Sequence, residues 1–218
     1  MARIARVVVP GLPHHLTQRG YRGQQTFFGD EDFAEYRRLM ALSCWDCGTR
    51  VWAYCLTPNQ VQLIMVPSSA DGLRCAVAEA HRRYTRMINL RQGWRGRLWQ
   101  ERFHSVVLDE PHLLAAARYV ERYPARAGLC ASPEDWPWSS AQPHLRAAKD
   151  QLVEVPALLK LVPDWHSHLA APDADGFSEQ LELHSRTGRP LGADEFVQGI
   201  ETRLGRYLRP RKPGPRPK

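Results

Sequence analysis

No apolar run in the 218-residue sequence approaches the ~18 residues that cross a bilayer. The first ten residues, Met1 to Pro10, hold too short an apolar stretch for a secretory signal. The expected setting is therefore soluble and cytoplasmic, with no membrane partner. Lysine is nearly missing: Lys149, Lys160, Lys212 and Lys218 stand against 26 arginines. Acids are also outnumbered, 23 to 30, which leaves a net charge of +7 and makes a polyanion the first partner to consider. Arginine forks onto phosphate with two hydrogen bonds, so the bias suits nucleic acid. The five cysteines are an odd number in a chain with no export signal, which predicts reduced, mostly buried thiols. Cys44-Trp45-Asp46-Cys47 has redox or zinc spacing, but no second pair follows it.

What is present reads as ordered structure, because 43% hydrophobic and 24% charged residues are an ordinary globular balance. Residues 14–20 read as a short strand, and Asp30 is placed to cap a helix over about 31–47 that ends at Gly48. Two β-rich runs, Val51 to Leu56 and Gln60 to Val66, flank Pro58-Asn59 and predict a hairpin. A second helix is predicted over 72–91, a strand over 98–108, and a third helix from Pro111 towards Gly128. The order β-α-β-β-α-β is that of a ferredoxin-like split βαβ sandwich, an α+β fold with helices on one face of an antiparallel sheet and the other face open. The expected divisions are 1–145 for this domain, 146–176 for connecting helices and a linker, 177–208 for a small helical extension, and 209–218 for a basic tail.

Basic charge gathers in two places. From Arg82 to Arg102 the arginines Arg82, Arg83, Arg86, Arg91, Arg95, Arg97 and Arg102 stand against one acid, Glu101. Tyr84, Trp94, Trp99 and Phe103 are interleaved with them, either as stacking platforms for unpaired bases or as core residues. The tail from Arg209 through Arg211 and Lys212 to Lys218 holds five basic residues, four prolines and no acid. It suits a phosphate-seeking arm.

Five segments in order carry a family resemblance: Pro10 to Gly20, Trp52 to Asn59, Leu98 to Phe103, Arg118-Tyr119-Val120 and Trp136-Pro137-Trp138-Ser139-Ser140. Together they resemble the single-tyrosine HUH transposases, in the branch of REP-associated tyrosine transposases. Residues 186–192 and the tail are similar to a C-terminal extension found in part of that branch. The resemblance implies cleavage and transfer of hairpin-bearing single-stranded DNA by a tyrosine nucleophile, with Mg²⁺ or Mn²⁺ on the scissile phosphate. Tyr119 falls at the nucleophile position.

The metal ligands that the resemblance implies are replaced. Gln60-Val61-Gln62 stands where the family has His-hydrophobic-His, and Tyr123, four residues after Tyr119, stands at the third ligand. Neutral amides and a protonated phenol are poor donors to these cations, so no cofactor is expected in this chain. His14, His15, His81 and His104 show no spacing that demands they take over. The resemblance therefore implies a DNA-binding protein for hairpin-bearing single strands, associated with the nucleoid, whose cleavage is lost or impaired. The DNA contacts expected are Arg19, Arg22, Arg82, Arg83, Arg86, Arg95, Arg97, Arg102, Arg209, Arg211 and Lys212, and a homodimer is compatible with it. The alternatives are a working single-strand nuclease and transposase with unusual ligands, and a domesticated regulator that binds structured DNA or RNA without chemistry.

Overall fold

The alternation around residues 14–20 becomes an inner strand, β1 (His14–Arg19), of a four-stranded antiparallel sheet. A computed structural model describes residues 4–209. Helix α1 (Asp30–Asp46) leads to β2 (Thr49–Thr57), and Pro58-Asn59 turns the chain back into β3 (Gln60–Pro67). Helix α2 (Gly72–Gln92) precedes β4 (His104–Val107), and the strand order is β2-β3-β1-β4. This is the split βαβ sandwich that the element order predicts.

Side chains alternate across the strands, so the sheet has two cores. On one face α1 and α2 deliver Tyr36, Met40, Leu73, Ala80 and Tyr84 onto Leu16, Leu63 and Met65. The other face, expected to be open, is covered as well. Helix α3 (Glu110–Arg126), capped by the Asp109 carboxylate accepting from the His112 amide at 3.0 Å, lays Leu113, Ala116, Ala117 and Val120 on Ala53, Cys55, Ile64 and Val106. Its two alanines let the helix backbone lie close to the strands. Covering is required because these strand residues are apolar, and bare they would leave a large apolar patch in water.

The remaining elements complete that second layer. Helix α4 (Ala141–Leu145) follows the segment 136–140, which runs beside β2: Leu56 N–H donates to Trp138 O at 2.8 Å and Ser140 N–H to Tyr54 O at 2.9 Å. Helices α5 (Val155–Leu159), α6 (Trp165–Ala170), α7 (Phe177–Thr187) and α8 (Asp194–Leu204) complete the chain. The expected helical extension is built onto the sheet: Phe177 and Leu181 join the α3 core, and Leu191 bridges Leu108 in parallel.

Three local expectations are corrected. The strand expected over 98–108 is only His104–Val107, because Leu98 and Trp99 turn into the α1–α2 core and 100–102 loop outwards. Asp30 does not cap α1; its carboxylate accepts from the Trp138 indole at 3.1 Å, while Asp32 accepts from the Phe28 amide at 2.8 Å. The cysteines are not all thiols. Cys47 closes α1 and Cys75 opens α2, and the packing of these helices brings them into a disulfide with Cα atoms 5.9 Å apart. Cys44, Cys55 and Cys130 are free.

One buried carboxylate ties α3 to the layer outside it. Glu121, fully buried, accepts from Ser140 Oγ at 2.5 Å, His144 Nδ1 at 2.6 Å and Trp165 Nε1 at 2.8 Å. Glu121→Ala leaves His144 Nδ1 and Trp165 Nε1 without an acceptor, Ser140 Oγ keeping only the Tyr54 carbonyl, and should cost roughly 3–5 kcal/mol by urea denaturation, whereas Glu121→Gln should cost less. A loss under 1 kcal/mol from the alanine variant would show that the network carries no weight.

Candidate nucleic-acid cleft

The pairing of β1 with β3 sets Thr17 opposite Gln62 and Arg19 opposite Gln60. With His15 these side chains share the α3 face at the end where the apolar cover stops. A cleft of about 380 Å³ opens there. Its floor is His15, Thr17, Gln60 and Gln62, and Tyr119 of α3 stands over it. Gln100, Glu101 and Arg102 reach it from the loop before β4, and Leu181, Glu182, Ser185 and Arg186 from α7.

Hydrogen bonds lock the floor. The Tyr123 hydroxyl donates to Gln60 Oε1 at 3.0 Å, and His15 Nε2 donates to Gln62 Oε1 at 3.3 Å. His15 Nδ1 then accepts from Ser185 Oγ at 3.3 Å, the tautomer of a neutral ring. Burial drives the His15 pKa down to about 4, against a smaller raising effect of the Gln62 hydrogen bond. Gln62 Nε2 is buried and has no partner among the described residues. Both carbonyl oxygens that could face a cation are thus already in use.

Tyr119 is held from the far side. The Arg126 guanidinium lies 3.8 Å from its ring centroid and donates to its carbonyl oxygen at 2.7 Å. Asp173 fastens the same helix by pairing with Arg118 at 2.9 Å and Arg126 at 3.3 Å. Burial raises the Tyr119 and Tyr123 phenols above their ordinary value, and Arg126 opposes this at Tyr119. Among the described residues the Tyr119 hydroxyl makes no hydrogen bond, so no base is in place to take its proton.

The structure brings together Tyr119, Gln60, Gln62, Tyr123, Arg19, Arg22 and Arg102. Arg22 takes a left-handed backbone (φ 52°) at the rim, a conformation that costs roughly 1–2 kcal/mol outside glycine. Its amide donates to Gln100 Oε1 at 2.5 Å, which fixes the turn. Gly20 is required beside it, because a Cβ would lie 2.1 Å from the Gln24 carbonyl oxygen.

Other expected contacts lie elsewhere. Arg82 and Arg83 sit on α2, which covers the opposite face of the sheet, and both pair with Glu79, at 2.8 and 2.6 Å. Arg91 forks onto Asp32. Arg86, Arg95 and Arg97 are exposed on or just after α2. Of the interleaved aromatics only Trp94 is exposed; Tyr84, Trp99 and Phe103 are core. Arg209 pairs with Asp194 and Glu201, while Arg211, Lys212 and the rest of the tail lie outside the described residues.

Of the histidines weighed as substitute ligands, His81 is half-buried, stacked on Trp99 and hydrogen-bonded to the Tyr36 hydroxyl, and both nitrogens of His14 are engaged by backbone groups. His15 and His104 line the cleft, with His104 paired to Glu101 at 3.0 Å. Among the described residues no three His, Cys, Asp or Glu side chains cluster to hold a metal. The donors present, two engaged amides and a phenol, do not fit a resident Mg²⁺ or Mn²⁺. Arg126, Arg186 and Ser185 were not singled out from the sequence. Arg126 falls seven residues after Tyr119, two turns along one helix face, which was the available signal.

No family model and no curated protein matches this sequence. Among solved structures, a REP-associated tyrosine transposase bound to a REP hairpin aligns at a TM-score of 0.58 and 17% identity, over 69% of this chain and 90% of that one. A protein of Deinococcus radiodurans R1 with a provisional assignment as a transposase aligns over 55% of this chain and 96% of its own. Its identity is 20% and its TM-score of 0.40 is too low to support a common fold. The first likeness shows a shared fold, and function has to be argued from the cleft.

Neutral His15 has a consequence for stability. The unfolded ring titrates near ~6.5 and the folded one near 4, so the unfolded chain binds more protons between these values. The stabilisation is complete above about pH 6.5 and is lost as pH falls towards 4. Urea midpoints measured from pH 7 to 4.5 should decline. His15→Gln should make the decline shallower by about 1.4 kcal/mol per pH unit, and an unchanged slope would show His15 protonating freely in the folded protein.

Proposed function

We propose that this chain is a DNA-binding relative of the single-tyrosine transposases, that its cleft receives hairpin-bearing single-stranded DNA, and that metal-dependent cleavage has been lost. The observation that carries the proposal is the cleft itself: a tyrosine on the helix over a ferredoxin-like sheet, ringed by Arg19, Arg22, Arg102 and Arg186, with Gln60 and Gln62 on its floor where the resemblance implies metal ligands. The fold shared with a transposase bound to a REP hairpin supports the choice of ligand. Four guanidiniums against Glu101 and Glu182 leave the rim positive, which suits a phosphate backbone. Trp94, T-shaped on Phe28 at 5.8 Å, offers an exposed ring for an unpaired base.

Fluorescence anisotropy with a hairpin carrying a single-stranded flank tests the ligand. Binding should weaken steeply with salt, and Arg19→Ala with Arg102→Ala should flatten the log–log slope by about 0.7 for each phosphate that is no longer neutralised. Arg82→Ala with Arg83→Ala should change the slope less, since Glu79 already offsets those charges. Equal effects of the two pairs would move the interface to α2.

Tyr119 should form no covalent adduct with that hairpin, with or without Mn²⁺. Among the described residues its hydroxyl has no base and no metal-holding cluster lies below it, and burial disfavours the phenolate. Together, Gln60→His, Gln62→His and Tyr123→Asn should create Mn²⁺ binding measurable by titration calorimetry. Adduct formation by the unaltered protein would instead establish a working nuclease.

A further inference from the structure

Gln62 poses a problem that neither the fold nor the resemblance solves. Its side chain is 1% exposed, its carbonyl oxygen is taken by His15, and its amide nitrogen has no partner among the described residues. A buried amide donor left unpaired costs about 1–3 kcal/mol, and such orphans in folded proteins call for an explanation. With the Gln62 oxygen facing it, His15 Nε2 donates, and Nδ1 is left to accept from Ser185 Oγ of α7. The nitrogen is therefore the unpartnered half of an amide that lines the cleft. The last torsion of a glutamine is broad, so a small rotation carries the N–H towards an incoming ligand.

What the cleft offers around that donor is anion chemistry. Gln60 presents no free carbonyl oxygen, since Tyr123 occupies it. The Tyr119 hydroxyl is unpartnered among the described residues and donates. Arg22, Arg102 and Arg186 line the rim and make no ion pair among the described residues. Arg19 is held only loosely, 4.0 Å from Glu182. Donors thus converge where a cation site would need acceptors.

We infer that the cleft holds a phosphodiester directly, without a bridging cation, Gln62 Nε2–H donating to a non-bridging oxygen at the floor while the rim arginines offset its charge. This deepens the proposed function and rests on it for the source of the diester. The replacement of imidazole by amide has on this account reversed the polarity of the floor, from a place for a cation to a place for the phosphate oxygen itself. No bond is made or broken.

The test uses the full-length protein and dimethyl phosphate, the minimal diester monoanion, in EDTA. The Gln62 side-chain amide protons, assigned by NMR through their loss in Gln62→Glu or Gln62→Met, should shift saturably, with the same affinity when Mg²⁺ replaces EDTA. Backbone amides of Thr17 and Gly20 should report at least fivefold weaker binding in Gln62→Met, which keeps the length of the side chain and removes the donor without adding charge. No saturable shift at the Gln62 amide, or a shift that requires Mg²⁺, would overturn the inference. Binding of inorganic phosphate without dimethyl phosphate would do the same, marking a site for a terminal phosphate. Dimethyl phosphate binding in a protein that ignores hairpin DNA would sustain this inference and refute the proposed function. Hairpin binding that leaves the Gln62 amide and the Gln62→Met affinity unmoved would do the reverse.

Discussion

The antiparallel pairing of β1 with β3 is the constraint on which the cleft depends. With Thr17 across from Gln62 and His15 across from Ile64, one face of two neighbouring strands runs from apolar to polar within a few residues. A slip of one residue would turn His15, Gln60 and Gln62 towards α1 and α2, burying them among Leu and Met side chains. The apolar half of that face recruits α3 through its small residues. Once α3 is seated, Tyr119 and Tyr123 are carried over the polar half without any interaction of their own having to place them. Cleft geometry is thus a by-product of core packing, reinforced by the Glu121 network behind the helix and by Asp173 at its flank.

Much of this was legible in the sequence, and the reason is that it is local. Helix periodicity, the Pro58-Asn59 turn and the order of elements are short-range properties, and they define the sheet. The convergence of Tyr119, Tyr123, Gln60 and Gln62 followed from family resemblance, and the structure does assemble them. What was missed comes from long-range closure. Ser185 reaches His15 across 170 residues, and Asp173 reaches Arg118 across 55. Cys47 meets Cys75 only because α1 packs on α2, and their spacing of 28 matches no local pattern. The run 98–108 reads as one strand, but Leu98, Trp99 and Phe103 serve core packing from an irregular segment, and pairing begins only at His104.

The basic stretch shows how a sequence window can mislead. Counted from Arg82, the charge is almost wholly positive; Glu79, three residues earlier, lies outside the count yet pairs with two of its arginines at i,i+3 and i,i+4, its single charge offsetting one of the two. Arg91 is likewise absorbed by Asp32, fifty-nine residues away in sequence. Arg86, Arg95 and Arg97 stay exposed and without an ion pair among the described residues on that side, while a second group of guanidiniums meets around the cleft, drawn from β1, the two loops beside it and α7. Three of the four come from segments whose charge density alone is unremarked, and only their meeting makes a field.

That field differs in kind from one centred on a metal. A divalent cation concentrates two charges at one point and can follow the charge that grows on a phosphate as it reacts. Guanidiniums on exposed, flexible stems spread theirs over the rim, where water screens them, and an amide N–H on the floor contributes a dipole and no net charge. Such an arrangement favours a phosphate in its ground state about as much as in any transition state. Uniform binding of this sort strengthens a complex without accelerating a reaction. The neutral His15 fits the same logic: buried and directed at Gln62, it orients a donor rather than supplying charge. On the proposed reading, a cleft so constructed would hold a strand and release it intact, with salt and local backbone shape setting its affinity.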